Sequence, residues 1–358
     1  MQISIESKIK NYSINIHNNF DFIGELALIN PRALVIDHNV WVHYETIFTK
    51  FFQKEEIIII EATEVNKTVE YALRLCDSVM HTNARKNMTI ISIGGGIVQD
   101  VTGFLASILY RGVNWIYIPT TLLAQSDSCM GSKTSINYKN FKNLLGTFYP
   151  PNKINLNVAF TKTLTKMDFY SGIGEIVKLH LMGGQNNIDL ISSKIKVLDV
   201  QRENDEFLTE LVKNSLSIKY SYIKDDEFDT GRRNLLNYGH CFGHALEVSS
   251  KYAIPHGTAV VVGMIFANII AVKRELLSHE MENTLLNNIL LHSFNYQFTI
   301  DLFDRETILS ALKMDKKRVG NGLPLIIIKN NLELAKLLDM TNDELFYGID
   351  KITDLLVK

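Results

Sequence analysis

The stretch Ser92–Asp100 reads SIGGGIVQD, and the fold turns on how it is taken. It ends an apolar run, TIISI (Thr89–Ile93), and leads into VQDVTGFLASILY, whose apolar residues recur at helical spacing. A strand that passes through glycines into a helix is the context a phosphate-binding turn needs. Gly94, Gly95 and Gly96 let the backbone approach an anion, and the first N–H groups of the helix supply donors. The spacing departs from GxGxxG at Gln99, and a tight strand-to-helix turn without ligand is the competing reading.

Working outward, ALVI (Ala33–Ile36), IIII (Ile57–Ile60) and WIYI (Trp115–Ile118) read as further strands buried on both faces, with helical patterns such as VEYALRLCDSVM between them. Apolar strands alternating with helices imply a parallel sheet covered on both sides, with ligands beyond the carboxyl ends of its strands. Asp37, in VIDHN, suits ribose hydroxyls there, or serves as a plain turn residue. After about Ser171 helical patterns dominate: Ile173–Met182, Glu206–Tyr222, Leu235–Tyr252, Thr258–Arg274 and Met281–His292. A single strand-like run, LPLIII, interrupts them. Thr341 and Glu344 have capping-box spacing ahead of a last amphipathic helix. The expected class is α/β + α: a Rossmann-like parallel-sheet domain over 1–170, then a mostly helical domain over 171–358.

Composition narrows the function. Across 358 residues, 37 basic side chains face 39 acidic ones, for a net charge of −2. That balance offers no footprint for nucleic acid or a membrane surface. Three cysteines without CxxC spacing point to reduced thiols. The N-terminus, MQISIESKIKNYSINI, alternates polar and apolar residues and lacks the apolar core of a signal peptide. The longest apolar run, Thr258–Val272, is shorter than a bilayer requires. A cytoplasmic protein is expected.

Two stretches carry chemistry. LLNYGHCFGHALE (Leu235–Glu247) places His240 and His244 four apart on one helical face, with Asn237 before them and His256 after the next loop. Core histidines, a metal site and a phosphate or proton-transfer site all fit that spacing. YRGVNWIYIPTTLLAQSDSCMGSKTSINYKNFKNLLGTFYPP carries Arg111, Thr120, Thr121, Asp127, Lys133, Lys142 and Asn143. Lys133, Lys139 and Lys142 stand among small polar residues with no Glu, which suits a polyanionic ligand. Solvated loop lysines are the alternative.

The motifs GGGIVQDVTGF, YRGVNWIYIPTTLLAQSDSCMGSKTSIN, KNLLGTFY, SGIGEIVK and RNLLNYGHCFGHALE…HG closely resemble those of the 3-dehydroquinate synthases, members of the sugar phosphate cyclases. The likeness runs in order and with family spacing from about Asp37 to about Gly320. It implies conversion of 3-deoxy-arabino-heptulosonate 7-phosphate to 3-dehydroquinate and phosphate by transient oxidation, β-elimination, re-reduction and an intramolecular aldol. It implies NAD+ and one divalent cation, zinc first and cobalt also.

Residue by residue, the resemblance gives Glu175, His240 and His256 to the metal, and His244 to the substrate phosphate. Lys133, Asn143, Asn237 and a lysine of MDKKR, Lys317 in preference to Lys316, join that phosphate cluster. Arg111 resembles an arginine that reaches the neighbouring subunit's phosphate site, which implies a homodimer. Asp127, Lys142 and Lys178 match residues near the substrate hydroxyls, and Lys219 with Arg233 match the pair that grips its carboxylate. Asp37, Glu64, Lys67, Gly94–Gly96, Asp100, Thr120, Thr121, Asp127, Lys142, Phe160 and Thr163 match the cofactor-binding set. The implied catalytic group is Lys133, Asn143, Lys178, His244 and Asp127.

Sister cyclases take sedoheptulose 7-phosphate or glucose 6-phosphate, which lack a carboxylate, so Lys219 and Arg233 discriminate. A metal-dependent polyol dehydrogenase shares the glycine turn but has no use for Lys133, Asn143, Lys219 and Arg233 together. Two departures from the synthase pattern are Gln99, in place of a glycine, and Ser132, which replaces the second glycine of GGK.

Overall fold

A computed structural model describes residues 2–82, 84–139, 141–316 and 323–357. It divides the chain into two compact units, Met1–Thr163 with Ile223–Phe228, and Leu164–Tyr222 with Asp229–Lys358. The break thus falls between Thr163 and Leu164, ahead of the 170/171 boundary expected from the sequence.

The first unit is built on strands β1 (Gln2–Ile5), β2 (Tyr12–Ile16), β3 (Arg32–Asp37), β4 (Ile57–Ile60), β5 (Thr89–Gly94), β6 (Asn114–Pro119) and β9 (Lys153–Leu156). They form one sheet in the order β1-β2-β9-β6-β5-β3-β4. Every pairing is parallel except β1 with β2. The alternation of MQISIESKIKNYSINI is therefore that of two strands. Leu34, Ile36, Ile91, Ile93, Ile116 and Ile118 pack with Phe22, Phe48 and Phe160 into one core. The IIII strand departs from expectation: β4 lies at the sheet edge, and its Ile59 is 44% exposed.

A small antiparallel hairpin, β7 (Ile136–Tyr138) with β8 (Phe141–Leu145), follows β6. Ile223–Phe228 closes the unit: the Glu227 carboxylate accepts from Ser7 Oγ and Lys8 N, both at 2.7 Å. The Phe228 ring meets Phe148 edge-on at 5.1 Å.

The second unit is mainly helical. His256–Lys273 is buried along nearly its whole length, and packs against Lys166–Met182 and His240–Ser249. It is the one described helix long and apolar enough to cross a membrane, and 78% of it is buried inside the fold. The approach is close because glycines meet backbone. A Cβ on Gly257 would stand 1.8 Å from the Ser171 carbonyl oxygen, and one on Gly174 2.2 Å from the Gly257 carbonyl oxygen. Glu175 and His256, next in sequence to those glycines, are thereby made neighbours.

The helix expected over Leu235–Tyr252 is broken. Arg232–Asn237 is a 3-10 turn, Gly239 takes a left-handed φ of 79°, and the α-helix begins at His240. LPLIII is β10 (Leu323–Ile328), but it is not alone: β11 (Leu334–Met340) pairs with it antiparallel. The capping box at Thr341 and Glu344 is formed as expected.

Candidate active site

In the first unit the glycine turn lies where the sequence puts it, with β5 running into the helix Gly96–Ile108. Gly95 is the N-cap of that helix and has no side chain to take its first N–H groups, the arrangement that suits an anion. The glycines differ in need. A Cβ on Gly94 would meet Val98 Cγ2 at 2.4 Å and one on Gly95 would meet Thr121 Cγ2 at 2.9 Å, whereas Gly96 faces only Ser128 Oγ at 3.6 Å. Gln99, the departure from pattern, is buried and exchanges hydrogen bonds with the π-helical turn after β6: its amide donates to Ser128 O and its carbonyl accepts from Ser128 Oγ.

Lys67 anchors a second part of this surface. Its buried ammonium lies 2.6 Å from Asp100 Oδ2 and donates to Asn143 Oδ1 at 2.7 Å. Asn143, left-handed at φ 53°, also accepts from Ser135 Oγ. Asn137 ties the hairpin down by donating to Glu64 Oε1 at 2.8 Å and accepting from Asn143 N at 2.9 Å. Lys142 Nζ stands 3.7 Å from the same Glu64 oxygen. The family resemblance puts Lys67, Glu64 and Asp100 with a cofactor and Asn143 with a phosphate. The hairpin joins them in one network.

Burial lifts the Asp100 carboxyl to about 6, against the opposing pull of the Lys67 charge and hydrogen bond. The unfolded group releases its proton near the ordinary 3.8, so the folded chain binds more protons between those two values. Stability from this group is therefore lost as pH rises through that window. Asp100→Asn is expected to flatten that part of a stability–pH curve taken by urea unfolding, and an unchanged slope would contradict it.

Other expected residues are placed as follows. Asp37 accepts from Asn39 N as the cap of the next helix. Thr120 is buried with its N–H on Gly94 O, and Thr121 Oγ1 accepts from Ala124 N. Phe160 is a core ring packed on Phe20 and Tyr44, so it has only its backbone to offer. Thr163 Oγ1 donates to Phe160 O. Asp127 is half-buried in the π-helical turn, while Lys133 and Arg111 are exposed.

In the second unit three distant segments converge. Glu175 is 1% exposed, and its Oε1 lies 3.4 Å from His240 Nε2 and 3.3 Å from His256 Nε2. Its Oε2 is 2.5 Å from Lys178 Nζ. Burial would raise the Glu175 carboxyl, but the charges of Lys178 and His240 and the nearby imidazoles hold it well below the usual carboxylate range. The far side of each ring fixes its tautomer. His240 Nδ1 donates to Tyr238 O and His256 Nδ1 to Glu247 Oε2, both at 3.2 Å, because a carbonyl and a carboxylate only accept. Each Nε2 is thereby left on the Glu175 side, where its lone pair would be available to a bound cation.

These groups fit a cation. Glu175 Oε2 is taken by the Lys178 ammonium, while Oε1 is buried and turned to the two imidazoles. Two donors each about 2.0–2.1 Å from one tetrahedral centre stand about 3.3–3.4 Å apart, the separation found here. His244 belongs to the same cluster, its nitrogen within 4.8 Å of those of His240 and His256. Protein groups alone act on His256 in opposite senses: burial disfavours its charge, but hydrogen bonds and charges of Glu175 and Glu247 prevail and raise it to about 10.

Lys219 and Arg233 are both buried in this unit, on either side of the excursion to Phe228. Asn237 is exposed and donates to Asn234 O. Lys317 lies outside the described residues. Sequence reading missed Glu247, although His240, His244 and Glu247 at i, i+4 and i+7 form one helical stripe. It also missed Asn137 and Ser135, which carry no signal beyond being polar.

The fold is shared with two sugar phosphate cyclases. A 2-epi-5-epi-valiolone synthase from Streptomyces hygroscopicus, solved with NAD+ and Zn2+, superposes with a TM-score of 0.87 at 21% identity, over 99% of each chain. A 2-deoxy-scyllo-inosose synthase, complexed with carbaglucose-6-phosphate, NAD+ and Co2+, gives 0.85 at 24% identity, over 99% of this chain and 100% of that one. Residues 57–171 match the 3-dehydroquinate synthase N-terminal model and residues 172–318 the C-terminal one. The 3-dehydroquinate synthase of Endomicrobium trichonymphae is 32% identical over 92% of both chains. The chain belongs to the 3-dehydroquinate synthase family.

Proposed function

We propose that this chain is a cytoplasmic enzyme that converts 3-deoxy-arabino-heptulosonate 7-phosphate to 3-dehydroquinate and inorganic phosphate, using NAD+ and one divalent cation. Zinc is the expected ion and cobalt a working substitute. The observation that carries the reading is the meeting of Glu175 Oε1 with the Nε2 atoms of His240 and His256 in a chain of this family that also holds Lys219 and Arg233 buried. NAD+ supplies a reversible hydride acceptor, and the cation lowers the pKa of a substrate hydroxyl and polarises the derived ketone.

The chain's own groups do the rest. The uncapped helix N-terminus after Gly94–Gly96 receives the cofactor pyrophosphate, with Asp37, Glu64, Lys67, Asp100, Thr120, Thr121, Asp127, Lys142, Phe160 and Thr163 around it. Lys133, Asn143, Asn237, His244 and Lys317 offset the phosphate charge. That phosphate, or His244, takes the proton released as the carbon–oxygen bond breaks. Lys178, held against Glu175, lies beside the substrate hydroxyls.

Arg233 binds the substrate carboxylate through a planar fork, with Lys219 beside it. Arg233→Ala is expected to raise KM for the heptulosonate phosphate about 10–100-fold with a smaller change in kcat. Arg233→Lys should not restore it. Unchanged steady-state kinetics would refute the carboxylate assignment. Arg111 is read as completing the phosphate site of a second copy, so the active species is a homodimer, testable by analytical ultracentrifugation.

The deciding assay is phosphate release from the heptulosonate phosphate with and without chelator, run beside sedoheptulose 7-phosphate. Chelator-sensitive release from the first alone is expected. Preference for the second substrate would reassign the chain to a sister activity.

A further inference from the structure

We propose that Glu247 is a positioning residue for the metal site: its carboxylate fixes the His256 ring and strengthens it as a ligand. The inference rests on the metal part of the function proposed above.

Glu247 lies on the same stripe as His240 and His244, and it is buried. Its Oε2 is 3.2 Å from His256 Nδ1, while the opposite nitrogen of that ring is 3.3 Å from Glu175 Oε1. One imidazole thus stands between two carboxylates, and the Glu247 contact decides which nitrogen keeps its hydrogen. His240 is held differently, by the neutral Tyr238 carbonyl. An anionic acceptor behind an imidazole raises its basicity as a ligand more than a neutral one does. His256 is therefore the stronger nitrogen donor of the pair.

The local fold keeps Glu247 in place. Its backbone carbonyl accepts from Tyr252 N at 2.7 Å and Ser250 Oγ at 3.1 Å. Lys251 and Tyr252, left-handed at φ 53° and 64°, turn the chain so that the next helix starts at His256 itself. The ligand and its supporting carboxylate are tied by one short turn, which no sequence separation beyond nine residues has to maintain.

The test is the zinc dissociation constant of the full-length protein, by competition with a chromophoric chelator at fixed pH, for the parent, Glu247→Ala and Glu247→Gln. Far-ultraviolet circular dichroism reports folding. Glu247→Ala is expected to bind zinc about 10–100-fold more weakly, and Glu247→Gln, which keeps an acceptor without the charge, about tenfold more weakly. Cobalt-loaded variants should show shifted visible bands, a change that a purely structural role for Glu247 does not produce. Zinc affinity within about twofold of the parent in a folded Glu247→Ala overturns the proposal. Should that variant not fold, the same result in Glu247→Gln does so. A parent that binds no zinc defeats the metal reading itself, and is told apart because it is seen before any variant is made.

Discussion

Glu175→Ala is expected to lose the bound cation and slow phosphate release by about a thousandfold or more. Lewis-acid help from a bound metal amounts to several kcal/mol, and each 1.4 kcal/mol is about a tenfold change in rate. The substitution has a second effect that must be kept apart from the first. Lys178 is 2% exposed and 2.5 Å from Glu175 Oε2, so removing the carboxylate breaks a buried ion pair from one side. Breaking such a pair from one side costs about 3–5 kcal/mol, or a Tm lower by about 10 °C. Adding Lys178→Met should recover most of that stability and none of the metal content. Zinc analysis and a thermal melt on both variants check this, and a Glu175→Ala protein that keeps one zinc per chain would sink the ligand assignment.

Gly257→Ala is expected to damage both stability and metal binding, although the residue itself can ligate nothing. Its Cβ would stand 1.8 Å from the Ser171 carbonyl oxygen, a backbone atom that cannot swing aside. The helices Lys166–Met182 and His256–Lys273 would have to separate. Overpacking of this kind typically costs 1–3 kcal/mol, and a backbone obstacle argues for the upper end, about 3 kcal/mol. The separation acts directly on the 3.3 Å gap between Glu175 Oε1 and His256 Nε2. Zinc affinity should fall together with the urea midpoint; normal zinc binding in a destabilised variant would disprove the link.

What the sequence disclosed follows from how each element is buried. ALVI, TIISI and WIYI are interior strands with almost no exposed side chain, so their composition alone marks them. The hairpin β7–β8 and the strand β11 escaped because most of their side chains are partly or fully exposed and carry no strand-like alternation. In β11, Leu334, Leu337 and Leu338 even fall at helical spacing. The break at Gly239 was hidden in a pattern that runs through it, since a glycine in a helix-like stretch marks a left-handed turn only when tertiary packing requires one.

The site was legible to a different depth. The i, i+4 histidines were visible as a pair, but spacing could not tell which would share Glu175, because that carboxylate arrives from 65 residues away, in another helix. Only the family motifs paired Glu175 with His240 and His256, and the geometry brings those three together. The ties of Lys67 to Asp100 and Asn143 had no sequence signature, because each partner comes from a separate turn or strand.

The return of Ile223–Phe228 to the first unit bears on biosynthesis. A nascent chain that has reached residue 163 contains all seven strands of the large sheet. It does not yet contain the Glu227 carboxylate that receives Ser7 and Lys8, or the Phe228 ring that meets Phe148 edge-on. Vectorial synthesis therefore leaves the N-terminal body unsealed until the helix Asp205–Ile223 has left the ribosome. Completion of the N-terminal body thus waits on six residues that lie, in sequence, within the second.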